Sequence, residues 1–140
     1  MTPVGILEAI VHDLDQATAA LDTAAAAGAA ARLFSPPGAA LTLGPGYWRA
    51  LADALTASHS EISVEMVLDC ADDAGAVLAA LGEGLAAVRF DGAAEARRRL
   101  QDIAAKSGAR LIEGPLPALD LGRTADPGAA CRAALHCPEP

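Results

Sequence analysis

A chain of 140 residues fits one compact domain and excludes two full ones. Its 53% hydrophobic and 20% charged content is that of a globular protein, and with aromatics at only 3% the core is expected to be aliphatic and alanine-rich. A formal charge of −8 sets the chain against phosphate backbones, so nucleic acid is not an expected partner.

The cysteines Cys70, Cys131 and Cys137 cannot all pair within one chain and none lies in a C-x-x-C spacing, so a reducing, cytoplasmic setting is expected. The first residues carry no basic segment and meet Glu8, His12 and Asp13 early, which gives no secretory signal. The most apolar stretch, residues 17–31, is interrupted by Asp22, Thr23 and Gly28, and no membrane span is expected.

In chain order, aliphatic runs alternate with alanine-rich helical segments. Residues 5–12 read as a first strand, after which Asp13 caps a helix over 14–27 that stops at Gly28. Residues 30–35 form a second strand, broken by Ser35-Pro36-Pro37-Gly38, and Trp48, Leu51, Ala52 and Leu55 then set a helical spacing over 46–58. A third strand covers 62–69, and Asp72 and Asp73 favour the start of a helix over 74–81. A fourth strand at 85–90, a helix at 93–106 and a fifth strand at 109–113 follow, and from Gly114 the pattern dissolves. Strands joined by single helices run parallel with right-handed crossovers, so the fold class is α/β, a (βα)4β half-TIM-barrel-like parallel sheet in order 1-2-3-4-5 with helices outside.

Alternation survives within these strands. Ser63, Glu65, Val67 and Asp69 share one face of the third, Glu8, Ile10 and His12 one face of the first, and Arg89 and Asp91 one face of the fourth. One sheet face is therefore polar, and its charges require water, a ligand or one another.

The run Val67-Leu68-Asp69-Cys70, followed after a helix by Glu83-Gly84-Leu85-Ala86-Ala87-Val88-Arg89-Phe90-Asp91-Gly92, resembles class II, zinc-dependent fructose-bisphosphate aldolases, whose third strand ends L-D-H-G and whose fourth reads like A-G-F-T-S-V-M-I-D-G-S. Leu14-Asp15-Gln16-Ala17 is similar to the family's N-L-E-Q-A, Ser35-Pro36-Pro37-Gly38-Ala39-Ala40 to its S-P-G-A, and Gly46-Tyr47-Trp48 to its G-x-Y-x. The likeness covers residues 5–113, about half of a barrel that typically needs about 250 residues. It implies a catalytic proton-transfer role for Asp69, while Cys70 stands where the first zinc-ligating histidine belongs; the later ligands and phosphate loops have no counterpart. Glu113-Gly114 falls loosely where the family has a strand-five glutamate.

The candidate catalytic residues are therefore Asp69 and His12, with Glu65, Cys70, Arg89 and Asp91 as candidate ligand-binding residues and no metal ligands. Each has a plain structural alternative: a capping carboxylate for Asp69, a packed thiol for Cys70, a solvated strand-end imidazole for His12. Arg97, Arg98 and Arg99 fan around a helix as a solvated face, Gly44-Pro45-Gly46 reads as an ordinary turn, and Cys131, His136 and Cys137 lie in a loosely packed tail.

The expected organisation is a half-barrel domain at 1–113 with a partly irregular tail at 114–140, in which Leu116, Leu119 and Leu121 can cover an edge or reach a partner. A non-catalytic aldolase-like binding or interaction module is expected, the alternative being a small lyase using Asp69 with Cys70 or His12 on a carbonyl or phosphorylated metabolite. No cofactor is expected, zinc being the alternative. The expected partners are a second copy of the chain in a homodimer and a small anionic metabolite, with no nucleic acid and no membrane.

Overall fold

The computed structural model describes residues 5–136. Strands β1 (Ile6–Ile10), β2 (Ala30–Phe34), β3 (Val64–Asp69), β4 (Ala87–Arg89) and β5 (Arg110–Ile112) form one all-parallel sheet in order 1-2-3-4-5. Helices α1 (Leu14–Ala27), α2 (Ala39–Thr42), α3 (Pro45–Ser58), α4 (Ala74–Gly82) and α5 (Ala94–Lys106) connect them, and α6 (Pro127–His136) follows a 3-10 turn at Leu121–Arg123. No helix among the described residues is long and apolar enough to cross a membrane.

Local chemistry sets the boundaries. The Asp13 carboxylate accepts from the Gln16 N–H at 2.8 Å, and Gly28 ends α1 in the left-handed region, φ 68°, where its N–H reaches the carbonyls of Ala24 and Ala25. Asp73 caps α4 through the Ala76 N–H at 2.9 Å. The strands are shorter than the aliphatic runs that mark them, because the outermost residues of each run lie beyond the ladder.

The face towards the helices carries Leu7, Ala9, Leu33, Met66, Leu68 and Val88, which pack with Leu21, Trp48, Leu55, Val77 and Leu100 into one core. Ala17, Ala20 and Ala24 are fully buried, so the small side chains of α1 let it lie close to the sheet.

The concave face is layered. Across its lower tier, Glu8, Arg32 and Glu65 stand side by side in register, with Arg110 completing the row through Glu65. Above them Ile10, Phe34, Val67 and Ala87 make an apolar tier, against which Ile112 and Leu116 pack. Asp69 opposes Arg89 at the upper ends of β3 and β4.

The segment after Gly114 is irregular as far as Asp120 but is not loosely packed. Leu116 packs against the apolar tier, the Ile10 N–H donates to the Leu119 carbonyl at 2.8 Å, and Asp120 forms a parallel bridge with Ile10. The tail thus crosses from β5 to β1 and covers part of the edge of β1 within the same chain. Leu121 and Cys131 then enter the main core as α6 packs on α1. Cys131 is fully buried; Cys137 lies outside the described residues. α6 is alanine-rich and opened by Pro127.

Leu121 is the apolar anchor of this closure. Leu121→Ala is expected to lower stability by about 3 kcal/mol, read as a fall in the urea midpoint with an unchanged slope.

Candidate functional site

Parallel sheets of this kind place ligands at the C-terminal ends of their strands, where Asp69, Arg89 and Asp91 meet. Arg89 Nη1 donates to Asp69 Oδ1 at 2.7 Å. The second oxygen, Oδ2, accepts from the Gly38 N–H at 2.7 Å, and the Asp69 N–H donates to the buried Ser35 hydroxyl at 2.8 Å. Gly38 can present its N–H because its backbone is left-handed, φ 68°, after Pro36-Pro37. Arg89 Nε donates to the Gly114 carbonyl at 2.9 Å, and Nη1 lies 3.5 Å from Asp91 Oδ2.

Asp69 is 2% exposed and Arg89 7%. Burial of either ion alone costs several kcal/mol, and here geometry and extra hydrogen bonds answer it. The pair therefore joins the β2 loop, β3, β4 and the start of the tail. Both carboxylate oxygens of Asp69 are engaged, so proton transfer through it requires breaking the ion pair or the Gly38 bond first.

Beyond Asp69 the backbone turns sharply. Ala71 adopts φ 51°, a conformation that costs a side chain about 1–2 kcal/mol, held by bonds from the Asp91 N–H to its carbonyl and from the Cys70 N–H to the Arg89 carbonyl.

The remaining candidates are dispersed. Cys70 is fully buried in the core on the helix side of the sheet. Burial, with the charges of Asp69 and Asp73, pushes its thiol up to about 12. A thiol so protonated at neutral pH is neither nucleophile nor ready ligand, and Cys70 leaves the candidate site. Glu65 stays on the concave face but four residues below Asp69, roughly 13 Å away along the strand, held by Arg32 at 2.7 Å and Arg110 at 2.6 Å.

His12 pairs with Asp120, Nε2 to Oδ1 at 2.7 Å, and its exposed ring serves the tail. Burial acts to raise the Asp120 carboxyl, but the Gly122 N–H, His12 and Arg123 outweigh it, and the pKa falls below 3.8.

Of the other sequence features, Arg97 pairs with Glu113 and Arg99 with Glu95, leaving no joint clamp. His59, buried where α3 ends, bonds Asp22 of α1 at 2.8 Å and fastens the two helices. Ser35, Gly38 and Gly114, which complete the Asp69–Arg89 network, were accessible only as turn signals in the sequence; Arg32 was accessible through strand alternation.

The zinc implied by the aldolase resemblance does not fit these residues. Cys70 faces the wrong side, Asp69 is held by Arg89 and Gly38, and among the described residues no three His, Cys, Asp or Glu side chains converge to hold a metal ion. No protein-family model and no curated protein matches the chain.

Asp69→Asn leaves the buried Arg89 guanidinium with only the half-exposed Asp91 at 3.5 Å as counter-ion, and a loss of about 3 kcal/mol is expected. The double variant Asp69→Leu with Arg89→Met is expected to recover much of it, a comparison read by denaturant unfolding. The lowered carboxyl of Asp120 contributes stability that is full above pH 3.8 and disappears as pH falls from there through the folded-state value. The acid limb of a stability–pH curve is expected to flatten in Asp120→Asn.

Proposed function

We propose that the chain is a non-catalytic aldolase-like binding or interaction module without a zinc site. One observation supports this above the others: the carboxylate that the resemblance makes catalytic is buried and spent on Arg89 and the Gly38 N–H. The alternative enzyme would have to work through Asp69 with Cys70 or His12, yet Cys70 faces the helices and His12 serves Asp120.

A homodimer remains the proposed assembly. The tail covers the edge of β1 at Ile10, which leaves β5, paired only with β4 among the described residues, as the favoured seam. A reducing, cytoplasmic location is supported by Cys70 and Cys131, buried free thiols.

Metal analysis and aldol-cleavage assays on the purified chain test the functional reading. Neither stoichiometric zinc nor turnover above that of Asp69→Asn is expected; zinc at one per chain, with turnover abolished by Asp69→Asn, overturns it. Light scattering over a dilution series tests the dimer, which a monomer mass at every concentration removes.

A further inference from the structure

The tail fills the upper part of the concave face, but among the described residues the lower end stays open. A hollow of about 140 Å³ lies there, walled by Ile6, Ala30, Arg32, Ser63, Glu65 and Arg110. It adjoins a larger one of about 310 Å³, which shares Ala30 and Ser63 and adds Ala29, Ile62 and Glu61.

The polar groups facing the smaller hollow have unused donors. Arg110 spends Nη1 on Glu65, and its Nε and Nη2 meet no acceptor among the described residues. Arg32 spends Nε on Glu65 and Nη1 on Glu8, which leaves Nη2. The Ser63 hydroxyl, at an exposed position, makes no bond to the described residues. Two guanidinium groups and a hydroxyl thus converge on one space with more donors than the protein satisfies, which is the donor set of an oxyanion site.

Glu8 and Glu65 balance the two arginines, so the row is neutral and disfavours a dianion. A planar carboxylate suits the guanidinium fork. At about 30 Å³ per water, the smaller hollow has room for a carboxylate and a few further atoms, and the aliphatic walls of the larger one, Ala29, Ala30 and Ile62, suit a short hydrocarbon body. Glu61 on that wall repels a second carboxylate.

We propose that this lower hollow is a binding site for short-chain monocarboxylates, with the carboxylate on Arg110, Arg32 and Ser63 and the aliphatic part against Ala30 and Ile62. The site rests on the binding-module reading and gives it a ligand class, yet it uses neither Asp69 nor Arg89.

The test is a 1H–15N NMR titration of the full chain with butyrate, succinate and inorganic phosphate at constant ionic strength. Butyrate is expected to give saturable shifts at Ala30, Ser63, Glu65 and Arg110, with a Kd on the order of 1 mM, and succinate and phosphate are expected to bind more weakly. The Arg110 side chain is 62% exposed, so Arg110→Gln keeps the fold and is expected to weaken butyrate about tenfold. Ser63→Leu, also at an exposed position, is expected to fill the hollow and abolish the shifts. No saturable shift, shifts undiminished in Arg110→Gln, or phosphate binding as tight as butyrate each overturns the proposal. Those outcomes leave the non-catalytic reading intact, whereas turnover lost in Asp69→Asn refutes that reading and leaves this site standing.

Discussion

Charge on the concave side of a parallel sheet has to be answered within hydrogen-bonding reach, because water is excluded wherever the chain closes over it. Asp69 and Arg89 lie deepest, and their pairing draws in Ser35 and Gly38 from the loop after β2 and Gly114 from the start of the tail. An uncompensated ion at that depth would cost several kcal/mol, a large fraction of the stability of a domain this size. The geometry of the loop after β2, the strained turn at Ala71 and the course of the tail all keep that pair satisfied. The lower row follows the same rule nearer to solvent, where Glu8, Arg32, Glu65 and Arg110 alternate in sign across four strands.

Half a barrel has two edges, and the chain treats them differently. The edge of β1 receives the tail, which supplies both a carbonyl for Ile10 and the apolar side chain of Leu116 for the middle tier. The edge of β5 is short, and Glu113 just beyond it is engaged by Arg97 and Gln101, so its charge is met within the chain and the strand itself is left for a partner. At the Asp69 end, where a barrel enzyme would hold substrate, Asp69 and Arg89 are buried, and the hollow lies at the opposite end of the strands.

Much of this was legible in the sequence. Asp13 and Gly28 bracket α1 at the residues where the helix begins and ends, since capping chemistry is local. The alternation in β3 placed Asp69 inward and Leu68 outward, and by the same period Cys70 belongs outside; its match to a ligand position in the resemblance obscured that parity. α2 was hidden because a four-residue helix between Pro37 and Gly44 leaves no periodic trace. The tail's leucines were legible as able to cover an edge, but which edge the tail takes was hidden for another reason. Its pairing with β1 is a single bridge, and its helix is recognisable only once α1 is present to pack on it. Asp120, which takes His12 away from the Asp69 end, comes from that same segment.

The closure of the tail over β1 joins residues 108 positions apart, as in the His12–Asp120 pair. Forming so long a loop from the open chain costs about 4 kcal/mol of chain entropy, most of which the sheet meets by fixing β1 and β5 in one layer. The tail adds only a short closure, which burial of Leu121 and Cys131 and the docking of α6 on α1 offset. The strap and α6 therefore constitute a late-folding unit that can open while the remaining strands and helices hold. In such an opening the amide of Ile10, bonded to Leu119, loses its protection from hydrogen exchange, whereas that of Val11, bonded to Phe34 within the sheet, keeps it, so adjacent amides on one strand report on two different cooperative units.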